Sequence, residues 1–226
     1  METVEYAAGR LADVVGTSAQ STVLLWHGQQ SNARASVRPL AELLAGHGLG
    51  VVVPDWNSYA DDGGRADLLR SVQFARERAD DPNGLVLVGW SMGGLAAAGL
   101  TIQARRLGIC FAHTVCLAGA FMMADPIFGQ IPVDQLRGNA HRSPFTLLYG
   151  ATDRVIPASV TRDFAAALRH NNWPVEVVEL PADHGSIAGA VYDPVAGRYS
   201  AAADPETLAV AADVAAHIAD AGRPAR

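Results

Sequence analysis

One stretch of the sequence decides the fold: Leu85–Leu95, which reads LVLVGWSMGGL. An apolar run of strand length leads into a Gly-x-Ser-x-Gly pattern, with Gly89 and Gly93 placed around Ser91, and small helix-forming residues follow. A strand-to-helix turn this tight leaves no room for side chains beside the serine, and it projects the hydroxyl above the sheet edge. The stretch predicts a nucleophilic serine at a helix N-terminus, where N–H groups favour negative charge. A plain tight turn is the alternative.

Strand-like and helix-like segments alternate through the rest of the chain. Apolar runs of strand length lie at Val23–Trp26, Val51–Pro54, Leu85–Gly89, Thr114–Leu117, Phe145–Tyr149 and Val175–Leu180. Segments with helical spacing lie at Val37–Gly46, Ala66–Ala79, Met92–Leu107, Ala158–His170 and Pro205–Ala221. Strands that are apolar throughout suit a parallel sheet covered on both faces. We therefore predict an α/β fold in which helices flank one doubly wound, mostly parallel sheet, with residues 1–226 forming a single domain.

Two segments modify this plan. The sequence before Thr22 is too short for two leading strands, which predicts a trimmed sheet of about six or seven strands. Residues 119–143 are rich in proline and glycine and contain only a short helical stretch at Val133–Leu136. A loop of this length in a compact domain is usually functional, so we expect a small cap or a substrate-contacting loop. Candidates to line an apolar pocket are Trp56, Tyr59, Phe121, Met122, Met123, Ile127 and Phe128, with core packing as the alternative for each.

A serine nucleophile needs a base within hydrogen-bond reach, and histidine fits best. His184 lies on a loop between the last predicted strand and the C-terminal helix, where the chain order nucleophile, acid, histidine places the base. A surface-loop histidine is the alternative. The remaining histidines lie at the ends of helices or strands, in the last helix or in the long loop: His27, His47, His113, His141, His170 and His217.

The third member is an acid that holds the imidazole in one tautomer. Asp153 follows the strand Phe145–Tyr149 and a Gly-Ala-Thr turn, and it is the preferred candidate. A turn or helix-capping role is the alternative for this residue. Asp125, after the previous strand, is the competitor. Asp183 adjoins the histidine and is badly placed to reach its far ring nitrogen.

An oxyanion requires two preorganised N–H donors. The Met92 N–H, directly after the nucleophile, is the first predicted donor. The second is the Gln29 N–H, because the strand Val23–Trp26 ends in His-Gly and Gly28 lets the backbone approach a substrate oxygen. For His27 itself, a structural role in satisfying loop carbonyls is the simpler interpretation.

These features resemble an α/β-hydrolase over nearly the whole chain. They are, in order, His27-Gly28, Pro54-Asp55, the elbow Gly89–Gly93, the turn Gly150–Asp153 and the loop Asp183–Gly185. Within that superfamily, the compact size and the Pro-Asp turn resemble small bacterial carboxylesterases, dienelactone hydrolase-like proteins and the arylformamidase or feruloyl esterase-like group.

Two departures from these relatives stand out. Many members of the last group carry a further glycine after His-Gly, whereas this chain has Gln29-Gln30. A serine nucleophile also argues against the cysteine-dependent dienelactone hydrolases themselves.

Charge and composition limit the partners. The formal net charge is -6, and the 17 basic residues are all arginine, scattered without a basic stripe. Nucleic acid and membrane are therefore not expected as partners. Arginine without lysine, beside abundant alanine, is typical of a GC-rich bacterial genome. Residues Met1–Val15 do not read as a secretory signal, which predicts a cytoplasmic protein. We expect a monomer or a homodimer.

The chemistry predicted from these residues is hydrolysis of a small-molecule carboxylic ester or thioester through an acyl-enzyme, with no metal and no organic cofactor. Two alternatives stay open. The same three residues support amide-type hydrolysis, as in a formamidase or peptidase, because a fold does not fix its substrate. A non-catalytic binding protein of the same fold is the third interpretation.

Overall fold

The computed structural model describes residues 1–17, 21–137 and 142–223, and its centre is an eight-stranded sheet. The strands are β1 Glu2–Ala7, β2 Arg10–Val15, β3 Thr22–Trp26, β4 Gly50–Pro54, β5 Val86–Trp90, β6 His113–Leu117, β7 Phe145–Gly150 and β8 Val175–Leu180. Their order across the sheet is β1-β2-β4-β3-β5-β6-β7-β8. Strands β3 to β8 are parallel, whereas β1 and β2 are antiparallel.

Helices cover both faces of the sheet. They are α1 Arg38–Gly46, α2 Arg65–Arg78, α3 Met92–Gln103, α4 Ala158–His170 and α5 Pro205–Ala221. Buried residues of α2, α3 and α4 form one core, and those of α1 and α5 form the other. Strand β5 serves both cores, because Leu87 faces the first while Val86 and Val88 face the second. Burial on both faces explains why the central strands are apolar throughout.

The order in which successive strands are added to the sheet reverses at its centre. From β3 the chain moves outward to β4 on one side and then returns to β5 on the other side of β3. Loops after β3 and β5 therefore diverge and leave a crevice at the carboxyl edge, which is where open α/β sheets bind ligands.

The expectation of six or seven strands is wrong. The first fifteen residues supply both β1 and β2, because the two strands are joined by a tight turn in which Gly9 has a φ of +71°. Strand β1 is largely exposed, so its sequence lacks the apolar run that marks the central strands. A second hairpin, β9 Ala190–Asp193 with β10 Arg198–Ala201, lies outside the main sheet and was also not predicted.

The described part of the 119–143 segment packs on the core. Phe121, Ile127 and Leu136 are buried, and a 3-10 turn at Pro132–Gln135 occupies the place of the predicted short helix. Met122 and Met123 are exposed. Residues 138–141, including His141, lie outside the described residues. Contact of this segment with substrate stays a prediction. Within the described ranges, no helix is both long and apolar enough to span a membrane.

Candidate active site

The backbone at Ser91 has the strained form that its sequence pattern demands. Ser91 follows β5 directly with φ 55° and ψ −115°, a conformation that costs a non-glycine residue about 1–3 kcal/mol. A Cβ atom on Gly89 would lie 2.1 Å from the Gly93 carbonyl oxygen, and one on Gly93 would lie 2.4 Å from the His27 carbonyl oxygen. Only hydrogen fits at either position. The Ser91 N–H donates to the Leu117 carbonyl of β6 at 2.8 Å, which holds the turn against the sheet.

Three side chains from different loops form one hydrogen-bonded chain. His184 Nε2 lies 3.0 Å from Ser91 Oγ, and His184 Nδ1 lies 2.8 Å from Asp153 Oδ2. An ionised carboxylate only accepts hydrogen bonds, so Nδ1 carries the proton and Nε2 is free to accept from the serine hydroxyl. Ser91 follows β5, Asp153 follows β7 and His184 follows β8, which places all three at the carboxyl edge of the sheet. The structure thus brings together the three residues that the sequence singles out.

The environment of Asp153 keeps it ionised. Its side chain is 1% exposed, and that of His184 is 5% exposed. Burial alone raises the pKa of the Asp153 carboxyl, but the hydrogen bond from His184 and those from the Ile156 and Val155 N–H groups hold the pKa below its usual value. The two N–H groups donate to Oδ1 and leave Oδ2 for the imidazole. A carboxylate held in this way fixes the tautomer of His184 and stabilises an imidazolium.

The loop that carries His184 is itself held in place. Asp183 Oδ1 accepts from the Gly185 and Ser186 N–H groups at 2.9 and 2.7 Å, so this carboxylate organises the turn and not the imidazole. The Trp90 indole N–H, next to the nucleophile in sequence, donates to the His184 carbonyl at 2.7 Å. His184 and the segment that carries Ser91 are therefore linked through this bond to the backbone as well as through their side chains.

The two predicted oxyanion donors belong to backbone segments next to Ser91. Met92 is the first residue of α3, where the N–H has no partner within the helix. A Cβ atom on Gly28 would lie 3.3 Å from Ser91 Cβ, so the loop that carries Gln29 approaches the serine closely. Both backbone segments meet Ser91 on the crevice between β3 and β5.

Asp125, the competitor for the acid, has a different task. Its Oδ1 accepts from the Ile127 and Phe128 N–H groups at 2.9 and 2.8 Å, and its Oδ2 accepts from the Gln130 N–H at 3.4 Å. Burial raises the pKa of this carboxyl, while the same backbone bonds lower it in part. Asp125 organises its own loop, and the imidazole bonds to Asp153 instead.

Burial assigns three of the seven candidate pocket residues to the core. Trp56, Phe121 and Ile127 are buried members of the core formed with α2, α3 and α4, where large apolar side chains stabilise the fold. Phe128 is partly buried against the same core. Tyr59 is 65% exposed and Met122 is 49% exposed. Met123 is 45% exposed. Tyr59, Met122 and Met123 stay candidates for substrate contact.

The hairpin β9–β10 contributes residues to the site that sequence reasoning missed. The Tyr199 ring lies 5.9 Å from the His184 ring and 4.9 Å from the Trp90 ring. A cavity of about 380 Å³ beside the loop that follows β3 has a lining that includes Gln29, Tyr59 and the hairpin residues Tyr192, Arg198 and Tyr199. The signal was weak, because the hairpin has short, half-exposed strands without a regular apolar pattern.

Taken together, the sheet order and the positions of elbow, acid and histidine define an α/β-hydrolase-like fold. Among the described residues, no group of three or more His, Cys, Asp or Glu side chains is arranged to hold a metal ion.

Comparisons with protein-family models and with curated proteins give no match. Solved structures do match. Esterase 2 of Thermogutta terrifontis phosphorylated by paraoxon is similar with a TM-score of 0.73 and 18% identity, over 95% of this chain and 91% of that chain. The propionate-bound form gives a TM-score of 0.71 and 19% identity, over 96% and 94%. The form phosphonylated by cyclosarin gives 0.72 and 18%, over 96% and 94%. The chain therefore shares its fold with this esterase over nearly its whole length.

Proposed function

We propose that this chain is a serine hydrolase that cleaves a carboxylic ester or thioester through an acyl-enzyme on Ser91. The observation that carries the proposal is the chain of hydrogen bonds from Asp153 through His184 to Ser91, at 2.8 and 3.0 Å. A serine that only completes a turn has no need of a buried histidine and carboxylate behind its hydroxyl. Nucleophile, base and orienting acid within hydrogen-bond reach are the arrangement of acyl transfer.

Acylation follows from the positions of the proton. His184 Nε2 accepts the hydroxyl proton as Ser91 Oγ attacks the carbonyl carbon, and Asp153 stabilises the imidazolium that forms. The oxyanion accepts hydrogen bonds from the Met92 and Gln29 N–H groups. When the tetrahedral intermediate collapses, the bond from carbon to the leaving group breaks, and His184 returns its proton to the departing alcohol or thiol.

Deacylation repeats the sequence with water as the nucleophile. His184 Nε2 takes a proton from water, the hydroxide adds to the acyl carbon, and the bond from carbon to Ser91 Oγ breaks as His184 reprotonates the serine. The products are a carboxylic acid and the regenerated enzyme. Every proton transfer uses the same imidazole nitrogen, which lies 3.0 Å from Ser91 Oγ at rest.

The similar structures support this proposal. Esterase 2 of Thermogutta terrifontis is recorded as phosphorylated by paraoxon and phosphonylated by cyclosarin, and it shares the fold over nearly the whole chain. Organophosphates of this kind react with activated serines, so a shared fold with a serine at the elbow is consistent with the same chemistry here.

Stopped-flow hydrolysis of p-nitrophenyl butyrate tests the proposal. The wild-type protein should release one equivalent of p-nitrophenol per chain in a rapid phase when deacylation is the slower step, followed by steady turnover. Ser91→Ala should keep the fold and lose at least 10³-fold in kcat. Ser159→Ala, on the exposed side of α4, is the control and should match the wild type. A wild type without turnover, or an active Ser91→Ala variant, contradicts the proposal.

A further inference from the structure

We infer that His27 is a positioning residue that aims the Gln29 N–H into the oxyanion site. The inference rests on the proposed function and extends it to a residue that does not touch the substrate. His27 follows β3 and is fully buried. Its Nδ1 lies 2.8 Å from the Gly28 carbonyl oxygen.

The partners of the other ring nitrogen fix the tautomer. His27 Nε2 lies 3.2 Å from the Ala33 N–H and 3.3 Å from the Trp56 N–H, and both are donors. Nε2 must therefore accept, which places the single proton of the neutral ring on Nδ1. The Nδ1–H donates to the Gly28 carbonyl oxygen. The ring is neutral at physiological pH, because burial lowers the pKa of His27 to about 4.

The carbonyl of Gly28 and the N–H of Gln29 belong to one peptide unit. In a trans peptide these two groups point in opposite directions, and the described residues contain no cis peptide bond. Because the buried imidazole holds the carbonyl, the Gln29 N–H faces away from the protein interior. Gly28 lies against Ser91, with 3.3 Å between a Cβ built on it and Ser91 Cβ. The direction left to the N–H is the crevice above the nucleophile.

The imidazole can hold this peptide because it is itself rigidly placed. The Trp56 ring stacks on the His27 ring, with centroids 5.2 Å apart and planes inclined by 21°. The Trp56 indole N–H donates to the His27 carbonyl at 3.2 Å. Packing against His27 explains why Trp56, a candidate pocket residue in the sequence, is fully buried in the structure.

Two substitutions separate the positioning role from a purely structural one. In His27→Asn, the side-chain amide nitrogen falls near the Nδ1 position, so the bond to Gly28 is kept and the bonds from Ala33 and Trp56 are lost. In His27→Gln, the amide oxygen falls near the Nε2 position, so the anchoring bonds are kept and the bond to Gly28 is lost. Each variant therefore removes one half of the network.

If His27 positions the Gln29 N–H, the two variants should rank in opposite orders for Tm and for kcat. His27→Asn should show the lower Tm but keep kcat within a few-fold of the wild type on p-nitrophenyl butyrate, measured well below its Tm. His27→Gln should show the higher Tm of the two but lose kcat by tenfold or more at nearly unchanged KM, approaching the 10²–10³ seen when an oxyanion donor is removed. Rates are normalised to the serine that paraoxon labels.

Each outcome decides the matter. If kcat follows Tm in both variants, or if folded His27→Gln keeps the wild-type kcat, His27 is only structural and the inference is wrong. Should His27→Asn fail to fold, the kcat of His27→Gln decides alone. A wild type without turnover contradicts the proposed function itself, whereas an active wild type with equal kcat in both variants contradicts only the role of His27.

Discussion

At the scale of the residue, the two aspartates near the carboxyl edge have separable roles. Asp153→Asn keeps the volume and the oxygen that accepts from Val155 and Ile156, but it presents an N–H to His184 Nδ1 and favours the wrong tautomer. Turnover of p-nitrophenyl butyrate should fall by about 10⁴, as in a comparable triad, with a Tm close to wild type.

Asp125→Asn is the matched control. Within the described ranges its carboxylate accepts from N–H groups of its own loop, so the variant should keep near wild-type kcat/KM. The loss of one buried acceptor should lower the free energy of unfolding by about 1 kcal/mol. An inactive Asp125→Asn beside an active Asp153→Asn would require the triad to be redrawn with Asp125 as the acid.

The elbow motif and the chain order favoured Ser91, Asp153 and His184, because loops after successive parallel strands meet at one edge of the sheet. Asp125 stayed open as the competing acid until the structure placed Asp153 against His184. The residues that support them were not predictable. Trp90 and Tyr199 flank the imidazole from sites 109 positions apart in the printed sequence. No local pattern announces such a pair, since their meeting depends on how the hairpin β9–β10 folds back over the sheet.

At the scale of the element, one side chain ties the oxyanion loop to this hairpin. Gln30 Oε1 accepts from the Tyr199 N–H at 2.6 Å, and Gln30 Nε2 donates to the Tyr199 carbonyl at 3.4 Å. The Gln30 side chain thus makes with the Tyr199 backbone the two hydrogen bonds that a neighbouring strand would make.

Gln30→Ala should loosen the hairpin without disturbing the sheet. Losing about 1 kcal/mol of hydrogen bonding corresponds to about fivefold faster amide hydrogen exchange across residues 190–201, while the amides of α3 exchange as before. Gln29→Ala, which changes an exposed side chain on the same loop, should leave both regions unaltered. Equal protection of the hairpin in all three proteins would contradict a clamping role for Gln30.

The elements themselves divide by burial into those that the sequence predicts and those that it does not. The central strands β3 to β7 are buried almost throughout, and their sequences are mainly apolar. Strands β1, β9 and β10 are largely exposed on at least one face, and their sequences ETVEYA, AVYD and RYSA carry no clear period. For such short strands, hairpin geometry and partners decide the structure more than composition does.

At the scale of the whole molecule, buried histidines make stability depend on pH. Burial lowers the pKa of both His27 and His113 from 6.5 to about 4. As the pH falls below 6.5, these two histidines become protonated in the unfolded chain, whereas in the folded protein they stay neutral down to about pH 4. The free energy of unfolding therefore decreases across that window. Each group accounts for roughly 3 kcal/mol at most. The lowered pKa of Asp153 affects the free energy of unfolding only below pH 3.8, the usual pKa of an aspartate.

Urea unfolding at pH 7, 6 and 5 measures this dependence. His113→Gln removes one of the two imidazoles. Its ring nitrogen Nε2 lies 2.9 Å from the Thr146 hydroxyl oxygen. The variant should reduce the loss of stability between pH 7 and 5. The variant His217→Gln, on α5, is the comparison and should keep the wild-type slope. Identical slopes for the wild type and His113→Gln would show that His113 is not held neutral by burial.

Reaction with paraoxon shows whether Ser91 is an activated nucleophile. We predict that the protein gains one diethylphosphoryl group per chain with release of one equivalent of p-nitrophenol, and that peptide mass spectrometry places the group on Ser91. His184→Ala should slow the reaction at least 10³-fold, because the serine then loses its base. A label on any other residue, or an unmodified Ser91 after prolonged treatment of the folded protein, would contradict the account.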